Sequence, residues 1–304
     1  MSRFGRVLTA MVTPFDADGR LDLDAARNLA RHLQSHGNDG LVVAGTTGES
    51  PVLTDEERLS LFAAVAEAVT IPVVAGTGTN DTHHSVEMTR QASKLGVAGV
   101  LAVCPYYNRP SQAGIEAHVT AMSMATDLPV VVYDIPVRTG RKISTALLLK
   151  LAREVPNVLA LKDAAGNPGE TAGVVSSAPD GFEVYSGDDS MTLPLLAVGA
   201  VGVIGVATHW TGDDHQLMFD LWEKGDIAGA RLVNSRMLES FAFETGDEAP
   251  NPIPTKAMMR HIGIAVGQAR LPMGDAPESV ERRAPEVLTN LQRWRDAYPE
   301  RPES

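Results

Sequence analysis

The sequence contains little cysteine, few aromatic residues and no excess of positive charge. Its 304 residues include one cysteine, Cys104, so no disulfide can form within the chain. A single cysteine favours a reducing compartment. Lysine and arginine together number 26 against 38 acidic residues, which gives a formal net charge of −12 at pH 7. Because the basic residues are scattered rather than clustered, we expect neither nucleic acid nor an anionic membrane surface as a partner.

Long hydrophobic runs are also scarce. The N-terminal segment has an apolar run of only about six residues before Pro14, which is too short for the core of a signal peptide. Residues 190–212 contain no Asp, Glu, Lys or Arg and suggest a membrane span at first sight. Pro194 and several glycines predict instead a helix followed by a buried strand. We therefore expect a cytoplasmic protein.

Eight short runs of apolar and β-branched residues recur along the chain, and each has the composition of a buried strand. They cover residues 7–15, 40–46, 71–78, 99–105, 128–136, 158–164, 182–188 and 202–208. Segments with helical periodicity lie between them, among them 23–37, 54–69, 144–155 and 188–199. Thr54 and Glu57 predict a capping box, and Gly37, Gly96 and Gly225 stand where helices are expected to end.

Eight β-α units of this kind predict an α/β fold, and eight is the number that closes a (β/α)8 TIM barrel. We assign the barrel to residues 1–225 and a small C-terminal helical extension to 226–304, with helices at roughly 226–243, 252–265 and 278–296. An open doubly wound sheet is the alternative. No dinucleotide fingerprint supports it, because "GTGTND" (76–81) lacks a third glycine and "GAVGVIG" (199–205) lies in the wrong place.

Lys162 is the residue that fits its surroundings least. It follows the apolar run 158–161, whereas the other five lysines fall in predicted helices or loops. If Leu159 and Leu161 face the helices, then Val158, Ala160 and Lys162 face the barrel interior, and Lys162 lies at the catalytic end. Burial there lowers the pKa of the amine, and a neutral amine can attack a ketone to form an imine. The alternative is a lysine that extends to solvent or pairs with a carboxylate.

Hydroxyl groups follow several other predicted strands at the same end of the barrel. Thr46 and Thr47 follow the second strand, Tyr106 and Tyr107 the fourth, and Tyr133 ends the fifth. A buried tyrosine near an imine can relay protons, and the alternative for each tyrosine taken singly is a core aromatic residue whose hydroxyl is hydrogen-bonded.

The charged groups near this end indicate the kind of substrate. The loop after the seventh strand reads "SGDD" (186–189), whose carboxylates repel phosphate and suit the start of a helix. Arg138 is the candidate to bind a substrate carboxylate, with a surface salt bridge as the alternative. No metal site is expected, because His83 and His84 cannot share one helix face and His209 and His215 lack a matching third ligand.

Several motifs in this order and spacing resemble the dihydrodipicolinate synthase family of pyruvate-dependent class I aldolases, within the superfamily that includes N-acetylneuraminate lyase. They are "GTTGES" (45–50), "PYYNRP" (105–110), "YDIPVRTG" (133–140), "LKDAAGN" (161–167), "SGDD" (186–189) and "NPIPTKAMM" (251–259). The resemblance covers nearly the whole chain. It implies a lyase that condenses pyruvate with aspartate semialdehyde in lysine and diaminopimelate biosynthesis.

The resemblance also implies roles for single residues. Lys162 would form the imine with pyruvate, so that no separate cofactor is needed. Tyr133, Thr46 and Tyr107 would relay protons, with Tyr107 supplied by a neighbouring subunit. The substrate-binding residues that it implies are Thr47 for the pyruvate carboxylate, Gly187 and Ile204 for the pocket wall, and Arg138 for the semialdehyde carboxylate.

Oligomerisation and substrate choice are less closely defined. A tyrosine from a neighbouring subunit implies a homo-oligomer, for which we expect a tetramer arranged as a dimer of dimers, although the residues leave a dimer open. Relatives with the same Lys and Tyr include N-acetylneuraminate lyase and keto-sugar-acid aldolases. The combination of Thr46 and Thr47 with Arg138, the arginine of "PVRTG", favours the synthase. The alternative from another class of function is a barrel that binds a keto acid without catalysing a reaction. The presence of Lys162, Tyr133 and Thr46 argues against it.

Overall fold

The computed structural model describes residues 2–246 and 248–297. Within them, eight parallel strands close into a barrel in chain order, each paired with the next and β8 paired with β1. The strands are β1 (Val7–Ala10), β2 (Gly40–Val43), β3 (Val73–Gly76), β4 (Gly99–Val103), β5 (Val130–Asp134), β6 (Val158–Asp163), β7 (Glu183–Ser186) and β8 (Gly202–Gly205). The predicted TIM barrel is confirmed, and each strand lies inside its predicted run.

Helices surround the barrel and continue beyond it. They are α1 (Leu23–Ser35), α2 (Asp55–Ala68), α3 (Thr82–Ala92), α4 (Gln112–Ser123), α5 (Pro136–Thr139), α6 (Thr145–Glu154), α7 (Pro168–Ser177), α8 (Thr192–Ala197), α9 (Thr208–Glu223), α10 (Ile227–Glu244), α11 (Ile253–His261) and α12 (Glu278–Asp296). Short 3-10 turns cover Ser50–Val52 and Asp189–Met191. No helix in the described residues is long and apolar enough to cross a membrane.

Local signals in the sequence fix several helix ends. The side chain of Thr54 accepts from the backbone of Glu57 and the Glu57 carboxylate accepts from the backbone of Thr54, so the capping box at the start of α2 is confirmed. Gly37, Gly96 and Gly225 all have positive φ just after a helix or its final turn, a conformation that glycine adopts without strain. Residues 190–212 form α8, then β8 and the start of α9, as the proline and glycines predict.

The interior of the barrel is filled by side chains from all eight strands, and they include Tyr133, Ala160 and Ile204. Ala160 and Lys162 face this interior and Leu161 faces the helices, as predicted. The prediction for Val158 is wrong, because Val158 packs with Leu161 in the layer between barrel and helices. The ladder between β5 and β6 shifts register there, so the alternation of faces starts afresh after this irregularity.

The last three helices pack on the side of the barrel where β8 and α9 lie. Apolar residues of α9, α10, α11 and α12 form one cluster with Val7 and Val203 of the barrel. The predicted helix at 252–265 is shorter than expected, since α11 ends at His261. The division into two domains at residue 225 stays a prediction. The segment between α10 and α11 brings Asn251 to the catalytic end of the barrel.

Candidate active site

A cavity of about 280 Å³ opens at the carboxyl ends of the strands. Its wall combines residues that follow β2, β4 and β5 with the segment before α11, and includes Thr46, Tyr106, Tyr133, Arg138 and Asn251. This is the end of a TIM barrel where the loops after the strands meet, so residues far apart in the sequence can share one site.

Lys162 lies directly behind this wall. It is 4% exposed, and its Nζ lies 4.4 Å from the centre of the Tyr133 ring, because the two residues are paired across β5 and β6. The pKa of its amine is lowered to about 8, mainly by burial and to a smaller extent by the charge of Arg138, against the opposing effects of Asp189 and Glu244. A sizeable fraction of the amine is therefore neutral near pH 8, which is the form that attacks a carbonyl group.

Lys256, on α11, is a second buried lysine that the sequence reading treated as an ordinary helix residue. Burial lowers its pKa to about 8 as well. Its Nζ, however, contacts Glu49 Oε1 at 2.6 Å and donates to the carbonyl of Gln268 at 2.9 Å. Lys256 is thus committed to an ion pair that ties α11 to the "GTTGES" loop. No salt bridge joins Lys162 to any carboxylate of the described residues.

Tyr133 and Thr46 are brought together as the sequence predicts. Both residues line the cavity, and the Thr46 hydroxyl is close enough to the Tyr133 phenol to lower its pKa. Burial raises the pKa of Tyr133 to about 12, while Thr46 and the charge of Arg138 oppose that rise. The phenol therefore keeps its proton at neutral pH.

Thr47 follows β2, Gly187 follows β7 and Ile204 lies in β8. Thr47 is buried, and its hydroxyl accepts a hydrogen bond of 2.9 Å from Asn251 Nδ2. A Cβ on Gly187 would approach Cγ and Cε of Lys162 to 3.0 and 3.1 Å, so the missing side chain leaves room for the lysine stem. Ile204 is fully buried in the barrel interior.

Arg138 and Tyr107 differ in where they lie. Arg138 is exposed on the cavity wall at the end of α5, and none of the described carboxylates forms a salt bridge with it, so its guanidinium is available to a ligand. Tyr107 is 89% exposed and is absent from the wall of its own chain's cavity, where Tyr106 lies instead. Tyr107 also has a φ of 72°, a strained conformation for a residue other than glycine.

The two acidic residues of "SGDD" have separate roles. Asp188 accepts from the backbone of Ser190 at 2.9 Å and starts the 3-10 turn, as expected for an acid at the start of a helix. Asp189 is the first residue of that turn, as also expected, but its side chain points into the protein. Asp189 is 1% exposed, and its Oδ2 accepts from the backbone of Val206 at 2.7 Å. Its carboxylate turns inward because this donor lies at the end of the neighbouring β8.

Residues from the C-terminal segment complete the site, and the sequence reading missed them. Glu244, the last residue of α10, is 3% exposed and acts electrostatically on Lys162. Asn251 holds Thr47, and Lys256 holds Glu49. No strand-end pattern could have found them, since they follow the barrel strands. Asn251 and Lys256 do lie in the motif "NPIPTKAMM", which the sequence singled out without giving either residue a role, whereas nothing in the sequence pointed to Glu244.

The chain is similar to known proteins along nearly all of its length. Residues 3–291 match the model of the dihydrodipicolinate synthetase family. The chain is 48% identical to the 4-hydroxy-tetrahydrodipicolinate synthase of Moorella thermoacetica, over 93% of this chain and 97% of that relative.

Solved structures give the same similarity in three dimensions. The dihydrodipicolinate synthase of Cyanidioschyzon merolae with lysine bound has a TM-score of 0.92 at 41% identity, over 96% of this chain and 99% of that one. The chloride-inhibited dihydrodipicolinate synthase of Acinetobacter baumannii complexed with pyruvate has a TM-score of 0.89 at 29% identity, over 95% and 99% of the two chains.

Proposed function

The chain belongs to the dihydrodipicolinate synthetase family, and from that premise we propose how its residues carry out catalysis. It acts as a 4-hydroxy-tetrahydrodipicolinate synthase, a lyase of lysine and diaminopimelate biosynthesis that joins pyruvate to L-aspartate-4-semialdehyde. The observation that supports the mechanism most is the buried, unpaired amine of Lys162 against the ring of Tyr133.

In the first proposed step, the neutral Nζ of Lys162 adds to the keto carbon of pyruvate, and loss of water leaves a protonated imine. The iminium withdraws electrons from the neighbouring methyl carbon, which loses a proton and becomes the nucleophilic end of an enamine. That carbon bonds to the aldehyde carbon of the semialdehyde. The amine of the semialdehyde then attacks the imine carbon, so that the ring closes and the Lys162 amine is released. No separate cofactor is required, since the iminium serves as the electron sink.

Proton transfers in these steps are proposed to pass through Tyr133 and Thr46. Tyr133 is next to the amine, and Thr46 is next to Tyr133 and on the cavity wall. Tyr107 is proposed as the third member, from a neighbouring subunit. Its exposed ring and strained backbone support this, because both are costly unless another surface uses them. The enzyme would then be a homo-oligomer, and we keep a tetramer as the expected form.

The substrate carboxylates are assigned to two different places. The pyruvate carboxylate is proposed to bind at Thr47, which Asn251 orients, with Gly187 and Ile204 beside it. The semialdehyde carboxylate is proposed to bind Arg138 at the outer wall. This order fits a small keto acid deep in the barrel and an aldehyde that arrives after it. A cytoplasmic location is proposed on the single cysteine, Cys104, which is buried and free.

We expect Arg138→Ala to raise KM for the semialdehyde about tenfold or more and to change KM for pyruvate far less. A guanidinium binds a carboxylate through two parallel charge-assisted hydrogen bonds, each worth about 1.5–3 kcal/mol. Steady-state kinetics with each substrate varied in turn measure the difference. Arg138→Lys is the matched control, since it keeps the charge but loses the paired geometry, and we expect an intermediate value. An equal rise for both substrates would mean that Arg138 supports the rim rather than the aldehyde.

The proposed function is tested by supplying pyruvate with different partners. We expect turnover with aspartate semialdehyde in an assay coupled to reduction of the product, and no comparable cleavage of sialic acid under the same conditions. Faster sialic-acid cleavage would assign the chain to the N-acetylneuraminate lyase reaction. Binding of pyruvate without turnover of either substrate would indicate a silent barrel.

A further inference from the structure

Behind Lys162 lies a group of buried polar side chains that the proposed reaction does not use. Asp189, Glu244 and His215 come from three separate elements and are 1%, 3% and 0% exposed. If both carboxyl groups are ionised, and so can only accept hydrogen bonds, each of the three residues has one buried atom without a partner. These atoms are Oδ1 of Asp189, Oε2 of Glu244 and Nε2 of His215. Buried polar atoms without partners are costly, so this arrangement calls for an explanation.

The two carboxyl groups satisfy each other if one of them carries a proton. The 3-10 turn that begins at Asp189 packs against α10, which ends at Glu244, and the two carboxyl groups interact directly. Two ionised carboxylates in contact would repel and leave both oxygens unpaired, whereas a single proton between them removes both faults. His215 does not supply that proton, because its Nε2 lies 3.9 Å from Asp189 Oδ1, beyond hydrogen-bonding distance. Its Nδ1 already contacts the carbonyl of Thr211 at 3.0 Å.

The positions of the two groups decide which one is charged. Asp189 begins a 3-10 turn and accepts the backbone N–H of Val206, and both features favour an anion. A Cβ on Gly205 would collide with Asp189 Oδ1 at 2.5 Å, so glycine at the end of β8 makes room for the carboxylate. Glu244 is the last residue of α10, where the negative end of the helix dipole disfavours a second anion. The proton therefore belongs on Glu244.

We propose that Asp189 and Glu244 form a proton-sharing carboxyl pair with one net negative charge, and that this charge is the built-in counter-charge for the cationic forms of Lys162. The cationic forms are the ammonium and, on the proposed function from which this inference proceeds, the iminium with pyruvate. One negative charge offsets the single positive charge on the lysine nitrogen, so neither the ammonium nor the iminium nitrogen is left as an isolated buried cation. Asp189 and Glu244 are thus positioning residues, since they act through Lys162 and do not touch the substrate.

Every charged or titratable group that faces the lysine enters this balance. Tyr133 of β5 contacts Nζ and is neutral, because its pKa is raised to about 12. Arg138 of α5 adds positive charge from the outer wall, which makes a counter-charge more necessary. Asp189 and Glu244 contribute from the turn after β7 and from the end of α10. Asp188 and His215 act on the pair from further away.

The test is the pH dependence of kcat/KM for pyruvate in Asp189→Asn, in Glu244→Gln and in the double variant. The acid limb of this profile reports the pKa of a group in the free enzyme that must lose its proton before reaction. We assign that pKa to the amine of Lys162. We expect the limb to move to lower pH by about one unit or more in the double variant, because an opposite charge nearby typically accounts for one to three units. The shift should be smaller in Asp189→Asn, since Glu244 can then ionise, and smallest in Glu244→Gln, whose amide still donates to Asp189.

Asp188→Asn is the matched control, since it removes a charge from the same loop without touching the pair. It should shift the limb less than Asp189→Asn does. A limb that stays in place in both Asp189→Asn and the double variant would overturn the proposal, as would a Glu244→Gln shift as large as that of Asp189→Asn. If the double variant does not fold, the order of the three single variants decides.

A second measurement separates this inference from the function on which it depends. Borohydride reduction in the presence of pyruvate, followed by peptide mapping, is run on the wild-type enzyme and on each variant. No adduct on wild-type Lys162 would contradict the proposed imine itself. If the wild-type enzyme forms the adduct but the acid limb does not move in the variants, the proposed imine stands and only the role of the carboxyl pair is contradicted.

Discussion

Replacing Lys162 with alanine should lower kcat/KM by at least about 10⁴-fold, which is within the range seen when an enzyme loses its nucleophile. Without the amine no imine can form, and no other residue can withdraw electrons from the pyruvate methyl carbon. The same variant should yield no adduct when it is reduced with borohydride in the presence of pyruvate. Kinetics in the coupled assay and mass spectrometry of the reduced protein measure the two effects.

Two other lysines provide the controls for this prediction. Lys150 is exposed on α6 and paired with Glu116, so Lys150→Ala should change the rate by no more than about twofold. Lys256 is as buried as Lys162 and also has a lowered pKa, but its amine is held by Glu49. An adduct found on Lys256 in the wild-type enzyme would show that burial alone selects the reactive lysine and that the position at the end of β6 does not.

The pH profile of the wild-type enzyme follows from the same amine. Because burial lowers the pKa of Lys162 to about 8, the reactive neutral form grows tenfold per pH unit below that value. kcat/KM for pyruvate should therefore rise with pH and level off above about pH 8.

The second large effect concerns the proposed proton relay. Tyr133→Phe and Thr46→Val should each lower kcat by about 10²-fold or more, the usual size of a lost acid-base contribution. Both substitutions keep the shape of the side chain and remove one hydroxyl, so circular dichroism and the thermal midpoint should stay close to those of the wild type. Steady-state kinetics at the pH optimum measure the loss.

The two relay variants should differ from Lys162→Ala in one respect. Each retains the amine, so each should still form a pyruvate adduct on Lys162 after borohydride treatment, although more slowly. Near-normal turnover in either variant would remove that residue from the relay. Normal turnover in Tyr133→Phe would also leave the contact between its ring and Lys162 as a packing contact only.

The fold was readable from the sequence because its signals are local. A buried strand is marked by a run of apolar, β-branched residues, and the start of α2 is marked by the capping box of Thr54 and Glu57. Both patterns lie within a few consecutive residues. Alternation along β6 was predicted for Ala160, Leu161 and Lys162 but failed at Val158, because the register of a ladder depends on its partner strand. The acids of "SGDD" were placed correctly at the start of a helical turn, but the inward direction of the Asp189 side chain was not predictable, since its backbone donor, Val206, follows the next strand.

The sequence by itself determined the barrel, the lysine that ends its sixth strand, and the hydroxyl groups at the ends of the second and fifth strands. In a closed barrel the strands follow one another in chain order and their carboxyl ends meet at one end of the barrel. The order of the strands alone therefore predicts that the residues at these ends lie close together. Only the tertiary structure decided that Glu244 lies beside Asp189, that Asn251 orients Thr47, and that Lys256 is bound to Glu49 while Lys162 is not. These contacts join the C-terminal helices to the barrel loops. Their positions depend on how the apolar face of one helix packs against another. The periodicity of residues along the chain predicts a helix but not its packing partner.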